Sequence, residues 1–434
     1  MRVLLLRPPA GGRRRLADMG AGHRPYPLHL AYLAAGLREL GVTVEFLDCP
    51  RLDYDAHAAS GAVFTVHPDV IYAELDPREA RAQLAFLAGI KDFSAARIVL
   101  GGQYASLCAR PILASFPAID ALILGEPDLT LVELVSLWYE GLPAVKVRGV
   151  ATPGPARVIE GPPRPPIDDL DSLPVPDRTI VPLSAYQAGC LRRRPVAAVA
   201  GLRGCPRQCR FCRRGADSRP PRFRNVRAVA QEVEDLIRRM GIREIAFVDP
   251  VFNADEDWAF ALAEALRPLG TTWHCTLAAH AVTAELLGSL RRAGCRDVIF
   301  NPVCPTRESA DALLVRDGPE ETRRAIALAA KEDVTAHVVV ATGGGELPAL
   351  ADAHAFAASL SGACVTVRRI APQLGSALLP APPDELAPPG EDRDLRVSLA
   401  YPFKDARFWR EGVRTLLGRR AQVCARAGIE ECGR

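Results

Sequence analysis

Short apolar runs alternate with amphipathic stretches along most of the chain, and the alternation predicts strands and helices in turn. Val3 to Leu6 reads as a buried strand closed by Arg7-Pro8-Pro9. From Leu28 to Leu40 apolar residues fall at helical spacing, with Gly41 at the expected C-terminal position. Further strands are predicted at Val42 to Leu47, Val70 to Ala73, Arg97 to Leu100 and Ala121 to Leu124, with helices over 78–90 and 129–138. This order over residues 1–140 predicts an α/β, doubly wound, Rossmann-like domain with a parallel sheet. Ligands of such sheets sit at the carboxyl ends of the strands, here the loops after Leu6, Asp48, Ala73, Leu100 and Leu124.

Prolines crowd the stretch between Pro153 and Pro182, and residues 141–190 read as an extended linker. A second alternation begins at Val196 to Ala200 and continues with strands at 244–248, 272–277, 297–300, 336–341 and 364–368. Helices are predicted between them. Residues 191–385 are therefore expected to form a partial (β/α)6 barrel, with its active site at the carboxyl ends of the strands. Residues 386–434, with a basic helical pattern from Ala406 to Arg426, read as an extension.

Composition changes this picture little. Hydrophobic residues make up 49% of the 434 residues and charged residues 24%, and the net charge is +3. So even a balance argues against nucleic acid or an anionic membrane as a partner. No apolar run reaches a membrane span, and the start is too short for a signal-peptide core, so a cytoplasmic protein is expected. Twelve cysteines are many for that compartment. Nine of them, Cys49, Cys108, Cys190, Cys275, Cys295, Cys304, Cys364, Cys424 and Cys432, lack ligand spacing and read as small buried hydrophobes.

The other three are Cys205, Cys209 and Cys212, in Gly204-Cys-Pro-Arg-Gln-Cys-Arg-Phe-Cys212. Thiolates at C-x3-C-x2-C spacing on one loop can take three irons of a cubane cluster. Zinc usually takes four ligands in two separated pairs, and no fourth Cys or His lies nearby in sequence. Three ligands leave one iron open to chelation by the amino-acid moiety of S-adenosylmethionine (SAM).

Through this loop and the alternating segments on either side of it, residues 196–379 resemble the radical SAM superfamily. The resemblance implies a [4Fe-4S] cluster on Cys205, Cys209 and Cys212, and SAM as co-substrate. It implies that Phe211 lies against the adenine. Gly343, Gly344 and Glu346, in Ala341-Thr-Gly-Gly-Gly-Glu346, would form a glycine-rich turn near SAM. Pro372-Gln-Leu-Gly375 resembles the turn after the sixth strand. In the first 140 residues, Pro27-Leu-His-Leu-Ala-Tyr-Leu-Ala34, Leu100-Gly-Gly-Gln-Tyr-Ala-Ser106 and Leu124-Gly-Glu-Pro-Asp-Leu-Thr-Leu131 are similar to the cobalamin-binding-domain class of that superfamily. Against a bound cobalamin stand the missing D-x-H-x-x-G loop after the first strand and the bulky, charged Tyr72-Ala-Glu-Leu-Asp76, expected to crowd a corrin. So does the chain's ending soon after the barrel. Asp55-Ala-His57 with Gly61 has the wrong spacing and reads as a loop.

Strand ends of the barrel offer Asp249, His280 and Asn301, with His274 further back in its strand. A carboxylate and an imidazole beside a radical can orient a hydroxyl and move a proton, which makes Asp249 and His280 the candidate catalytic pair. Phe300-Asn-Pro-Val-Cys304 stands where relatives often carry Gly-x-Glu-Ser. In layout the resemblance is nearest to the radical SAM diol dehydratases of aminoglycoside biosynthesis. It implies reductive cleavage of SAM, hydrogen abstraction from a polar, sugar-like substrate and loss of water. The alternative is a cobalamin-dependent radical SAM methyltransferase of natural-product (antibiotic) biosynthesis. Either needs a single-electron donor of flavodoxin or ferredoxin type.

Overall fold

The first strand, β1 (Arg2–Arg7), is apolar from Val3 to Leu6, and all four side chains are buried. A strand paired on both edges and covered on both faces requires that pattern. Around it β2 (Thr43–Asp48), β3 (Val70–Glu74), β4 (Arg97–Gly101) and β5 (Ala121–Ile123) pair in parallel in the order β2-β1-β3-β4-β5. This is a doubly wound order whose topological switch lies between β1 and β3. The computed structural model describes residues 1–9, 26–77, 79–144, 147–155, 157–180, 183, 186, 192–213, 220–343, 347–370, 372–373 and 376–379. All lie in one compact unit, Met1–Glu385; the extension expected at 386–434 is outside the described residues.

Two segments depart from the sequence reading. The first sheet does not stop at residue 140: β6 (Val150–Thr152) and β7 (Ile159–Glu160) add to its edge, antiparallel to β5 and to each other. Strands of two or three residues among prolines carry too little alternation to register in a sequence window. Residues 56–66, expected to form a loop, are a helix, Ala56–Val66, whose cap is Asp55 accepting from the Ala58 amide at 2.8 Å.

The second sheet opens with β8 (Val196–Val199). A two-stranded ribbon comes next, β9 (Leu202–Arg203) against β10 (Arg222–Phe223), antiparallel. Then come β11 (Glu244–Phe247), β12 (Thr272–Leu277), β13 (Cys295–Val303), β14 (Thr335–Thr342) and β15 (Ala363–Arg369). They pair in parallel in sequence order from β8 to β15, the partial (β/α)6 barrel expected. Its helices begin where side chains supply caps: Asn225 before Val226–Met240, Asp255 before Glu256–Leu266 and Thr283 before Ala284–Arg292. The buried faces of these helices, with Val229, Leu262 and Leu286, close on Val199, Phe247, Trp273 and Phe300 of the strands. Strand ends and the loops beyond them are left to build the site.

Candidate active site

The loop after β8 is fixed at every turn before it reaches the cysteines. Oδ1 of Asp249, just past β11, accepts from the Gly201 amide at 2.8 Å and the Leu202 amide at 2.9 Å. Gly204 takes φ +107°, which a side chain would strain, and the backbone of Pro221 lies 3.0 Å from where a Cβ would be. Cys205 and Cys212 are partly exposed; Cys209 is buried with Phe211, Cys304, Leu313 and Leu347. The Cys212 amide donates to Cys209 O at 2.9 Å and the Arg210 amide to Leu313 O at 3.0 Å. Past the loop, the Gln373 amide donates to Phe211 O at 2.8 Å. Its side-chain Oε1 accepts from the Arg213 amide at 3.0 Å and lies 3.5 Å from Cys212 Sγ.

Burial pushes the Cys209 thiol up to about 12; Arg207 opposes this, and negative charge on Cys212 and Cys205 adds to it. Among the described residues no three His, Cys, Asp or Glu side chains are grouped to hold a single metal ion. A cubane asks for a different arrangement, three thiolates that each take a different iron, and binding iron removes the thiol proton whatever burial does to it. The donor set fits a [4Fe-4S] cluster.

Arg207, between the first two cysteines, carries no signal in the sequence beyond its place in the loop. Its guanidinium donates to Asp317 Oδ2 at 2.6 Å, to Asn301 O at 3.1 Å and to Leu277 O at 3.4 Å, so one side chain ties the loop to the ends of β12 and β13. Asp317 is fully buried, and its Oδ1 meets the His280 amide at 3.0 Å and His280 Nδ1 at 2.6 Å. Burial opposes its ionisation, but the His280 hydrogen bond and the Arg207 charge outweigh that and hold the carboxyl below its usual range. With Nδ1–H given to Asp317, the free edge of the partly exposed His280 ring is Nε2.

Asp249 and His280, expected as a catalytic pair, have different surroundings. Asp249 is 2% exposed, and beyond its two amide contacts Oδ2 has no hydrogen-bond partner among the described residues. Burial raises its pKa to about 7, against the Leu202 and Gly201 amides and the charge of Arg224. Asn301 serves through its backbone carbonyl, and His274 is buried against Glu244 at 3.2 Å. Phe211 packs inside the loop's own apolar cluster. The Gly343 amide donates to Pro348 O at 2.9 Å, and Leu347 fills the place of a Cβ; Gly344 and Glu346 are outside the described residues.

The carboxyl edges of the two sheets face each other. Arg203, two residues before Cys205, pairs in bidentate fashion with Asp128 at 2.8 and 2.9 Å, in the helix after β5. Arg222 pairs with Glu126 at 2.5 and 3.1 Å, and the charge of Arg213 bears on Cys108, beyond β4. At the switch of the first sheet, Tyr72 does not stand up to crowd a ligand. It is fully buried with Val3, Leu5 and Val99, and its ring lies over Gly101, where no Cβ could stand. Its hydroxyl donates to Glu74 Oε1 at 2.8 Å, and Glu74 Oε2 lies 3.2 Å from Nε2 of His29, whose side chain is 53% exposed. The crowding of a corrin expected from Tyr72 thus has no steric ground, and the rim presents an imidazole, a donor that cobalt accepts.

Residues 200–349, cysteine loop included, match the family model of the Radical SAM superfamily, so this segment is a radical SAM domain. Among curated proteins, an uncharacterised methyltransferase of Pyrococcus horikoshii is 26% identical over 306 residues, 69% of this chain and 65% of that protein. The anaerobic magnesium-protoporphyrin IX monomethyl ester cyclase of Rubrivivax gelatinosus is 28% identical over 340 residues, 76% of this chain and 60% of that one. The chain thus spans less than two thirds of the length of these relatives. Among solved structures, TsrM of Kitasatospora setae, a radical SAM methyltransferase with cobalamin and a [4Fe-4S] cluster bound, superposes with a TM-score of 0.60 at 17% identity, covering 79% of this chain and 67% of that chain. OxsB, a cobalamin-dependent SAM radical enzyme with aqua-cobalamin and SAM bound, gives 0.65 at 15%, covering 85% and 53%. At those identities the likeness is one of fold, a Rossmann-like domain ahead of a radical SAM barrel. The expected nearness to diol dehydratases finds no support among these proteins. Among the described residues no helix is long and apolar enough to cross a membrane.

Proposed function

We propose that this protein is a radical SAM enzyme that methylates a polar small molecule of natural-product type, with a corrinoid held between its two sheets. The observation that carries this reading is the facing of two carboxyl edges, one bearing the cysteine loop and the other the switch point, joined by Arg203–Asp128. Methyltransferase and cobalamin-dependent relatives support it. When bound, the cluster and SAM supply a 5′-deoxyadenosyl radical after one-electron reduction by an external donor, and a corrinoid supplies a transferable methyl group.

The chain's own residues have separate tasks. Cys205, Cys209 and Cys212 hold the cluster. Asp249 and Arg207 set the loop from its two sides, one through the amides of Gly201 and Leu202, the other through the ends of β12 and β13. Nε2 of His280 takes or returns a proton at a substrate hydroxyl or amine, while Asp317 keeps Nδ1 protonated and the ring in place. The ion pairs Arg203–Asp128 and Arg222–Glu126 tie the two edges together.

Anaerobic reconstitution with and without hydroxocobalamin, and then incubation with methyl-labelled SAM and candidate polar acceptors, tests the reading. Stoichiometric corrinoid absorbance and labelled product are expected. Dehydrated product formed equally well without corrinoid would overturn it and restore diol dehydration, for which the His280–Asp317 pair is equally suited.

A further inference from the structure

We propose that His29 is the protein ligand to the cobalt of a corrinoid, bound on the side facing the first sheet and oriented by Glu74 and Tyr72. The inference rests on the corrinoid reading above and adds the residue that meets the metal. His29 is the second residue of the helix Leu28–Glu39 and Glu74 is the last of β3, which places both at the switch between β1 and β3. That is where a doubly wound sheet binds its ligand.

Three groups stand in line there. The buried Tyr72 hydroxyl donates to one oxygen of Glu74, and the other oxygen lies 3.2 Å from His29 Nε2. A carboxylate behind one ring nitrogen keeps the proton on that nitrogen and leaves the other as an electron pair, as in most histidines that ligate metals. Among the described residues Nδ1 of His29 has no hydrogen-bond partner, and half the side chain is exposed. A surface ion pair would need nothing behind the carboxylate; here Glu74 is itself fixed by a fully buried tyrosine. Nor is a free metal ion the expected occupant, since no third protein ligand stands beside His29 and Glu74 among the described residues. A corrin already supplies four nitrogens to its cobalt and asks the protein for one more. The D-x-H-x-x-G loop missing after β1 is thus unnecessary: the imidazole comes from the next helix.

The test is electron paramagnetic resonance of the reconstituted full chain with its corrinoid reduced to Co(II), prepared with natural-abundance and with 15N-histidine-labelled protein. A histidine ligand splits the cobalt lines into triplets, which become doublets in the labelled protein. In His29→Ala the label-sensitive splitting should vanish, with iron content and cluster absorbance retained as the check on folding. Glu74→Ala should weaken ligation by roughly 10- to 100-fold, read as a smaller label-sensitive fraction. A triplet unchanged by the label, which marks the cofactor's own base, would overturn the assignment, as would label-sensitive splitting that survives in His29→Ala. Either result leaves the corrinoid reading standing. A chain that retains no corrinoid at all overturns both.

Discussion

Replacing Asp249 by Asn should change how the protein's stability depends on pH. The carboxyl is raised from 3.8 to about 7, because burial leaves Oδ2 without a partner while Oδ1 carries two amide bonds. A shift of about three units corresponds to about 4 kcal/mol at ~1.4 kcal/mol per unit. The folded protein keeps this proton up to about pH 7, whereas the unfolded chain releases it near pH 4. Between those values the unfolded state binds fewer protons, so stability falls as pH rises and the full cost is present above pH 7. Asn retains an acceptor for Gly201 and Leu202 and carries no charge to bury. Anaerobic urea unfolding of both proteins at several pH values measures the difference. The variant should gain roughly 2 kcal/mol on the wild type between pH 5 and pH 7. Parallel profiles would refute the reasoning, showing that the Asp249 carboxyl binds no more protons in the folded protein than in the unfolded chain over this range.

Three further outcomes are expected. Cys205→Ala, Cys209→Ala or Cys212→Ala should each abolish the cluster and SAM cleavage, checked by iron content, visible absorbance and 5′-deoxyadenosine formation. Arg207→Met leaves Asp317 buried beside His280 alone; breaking such a pair costs about 3–5 kcal/mol, and thermal unfolding and cluster yield should both report it. His280→Ala should leave the cluster and uncoupled SAM cleavage in place while substrate turnover, measured by product chromatography, falls ~100- to 10,000-fold.

Strands buried on both faces, such as Val3 to Leu6, announce themselves in a sequence, and so does a loop of three cysteines whose spacing is itself the ligand geometry. The groups that support that loop do not. Asp317 lies 110 residues from Arg207, between elements, with no periodicity or motif to mark it. Asp249 is legible as a strand-end carboxylate, but only the backbone trace shows that it reaches across to Gly201 and Leu202. Tyr72 is the instructive error. Its bulk is legible and its direction is not, because the space it occupies is made by Gly101 on the neighbouring strand. His29, the half-exposed histidine at the switch point, lies inside a helical pattern, and in the sequence nothing separates it from the rest of that helix.

The ribbon of β9 and β10 brackets the cysteine loop, and each of its strands carries an arginine gripping the start of the helix after β5. This arrangement has a consequence for assembly in the cell. Synthesis delivers the first sheet before the barrel, so Glu126 and Asp128 are already displayed when Arg203 and Arg222 leave the ribosome. The ribbon can then set against carboxylates already in place. A barrel expressed without its leading 190 residues would have both arginines unmatched and the mouth of the ribbon slack, and would accept its cluster poorly even though every cysteine is present.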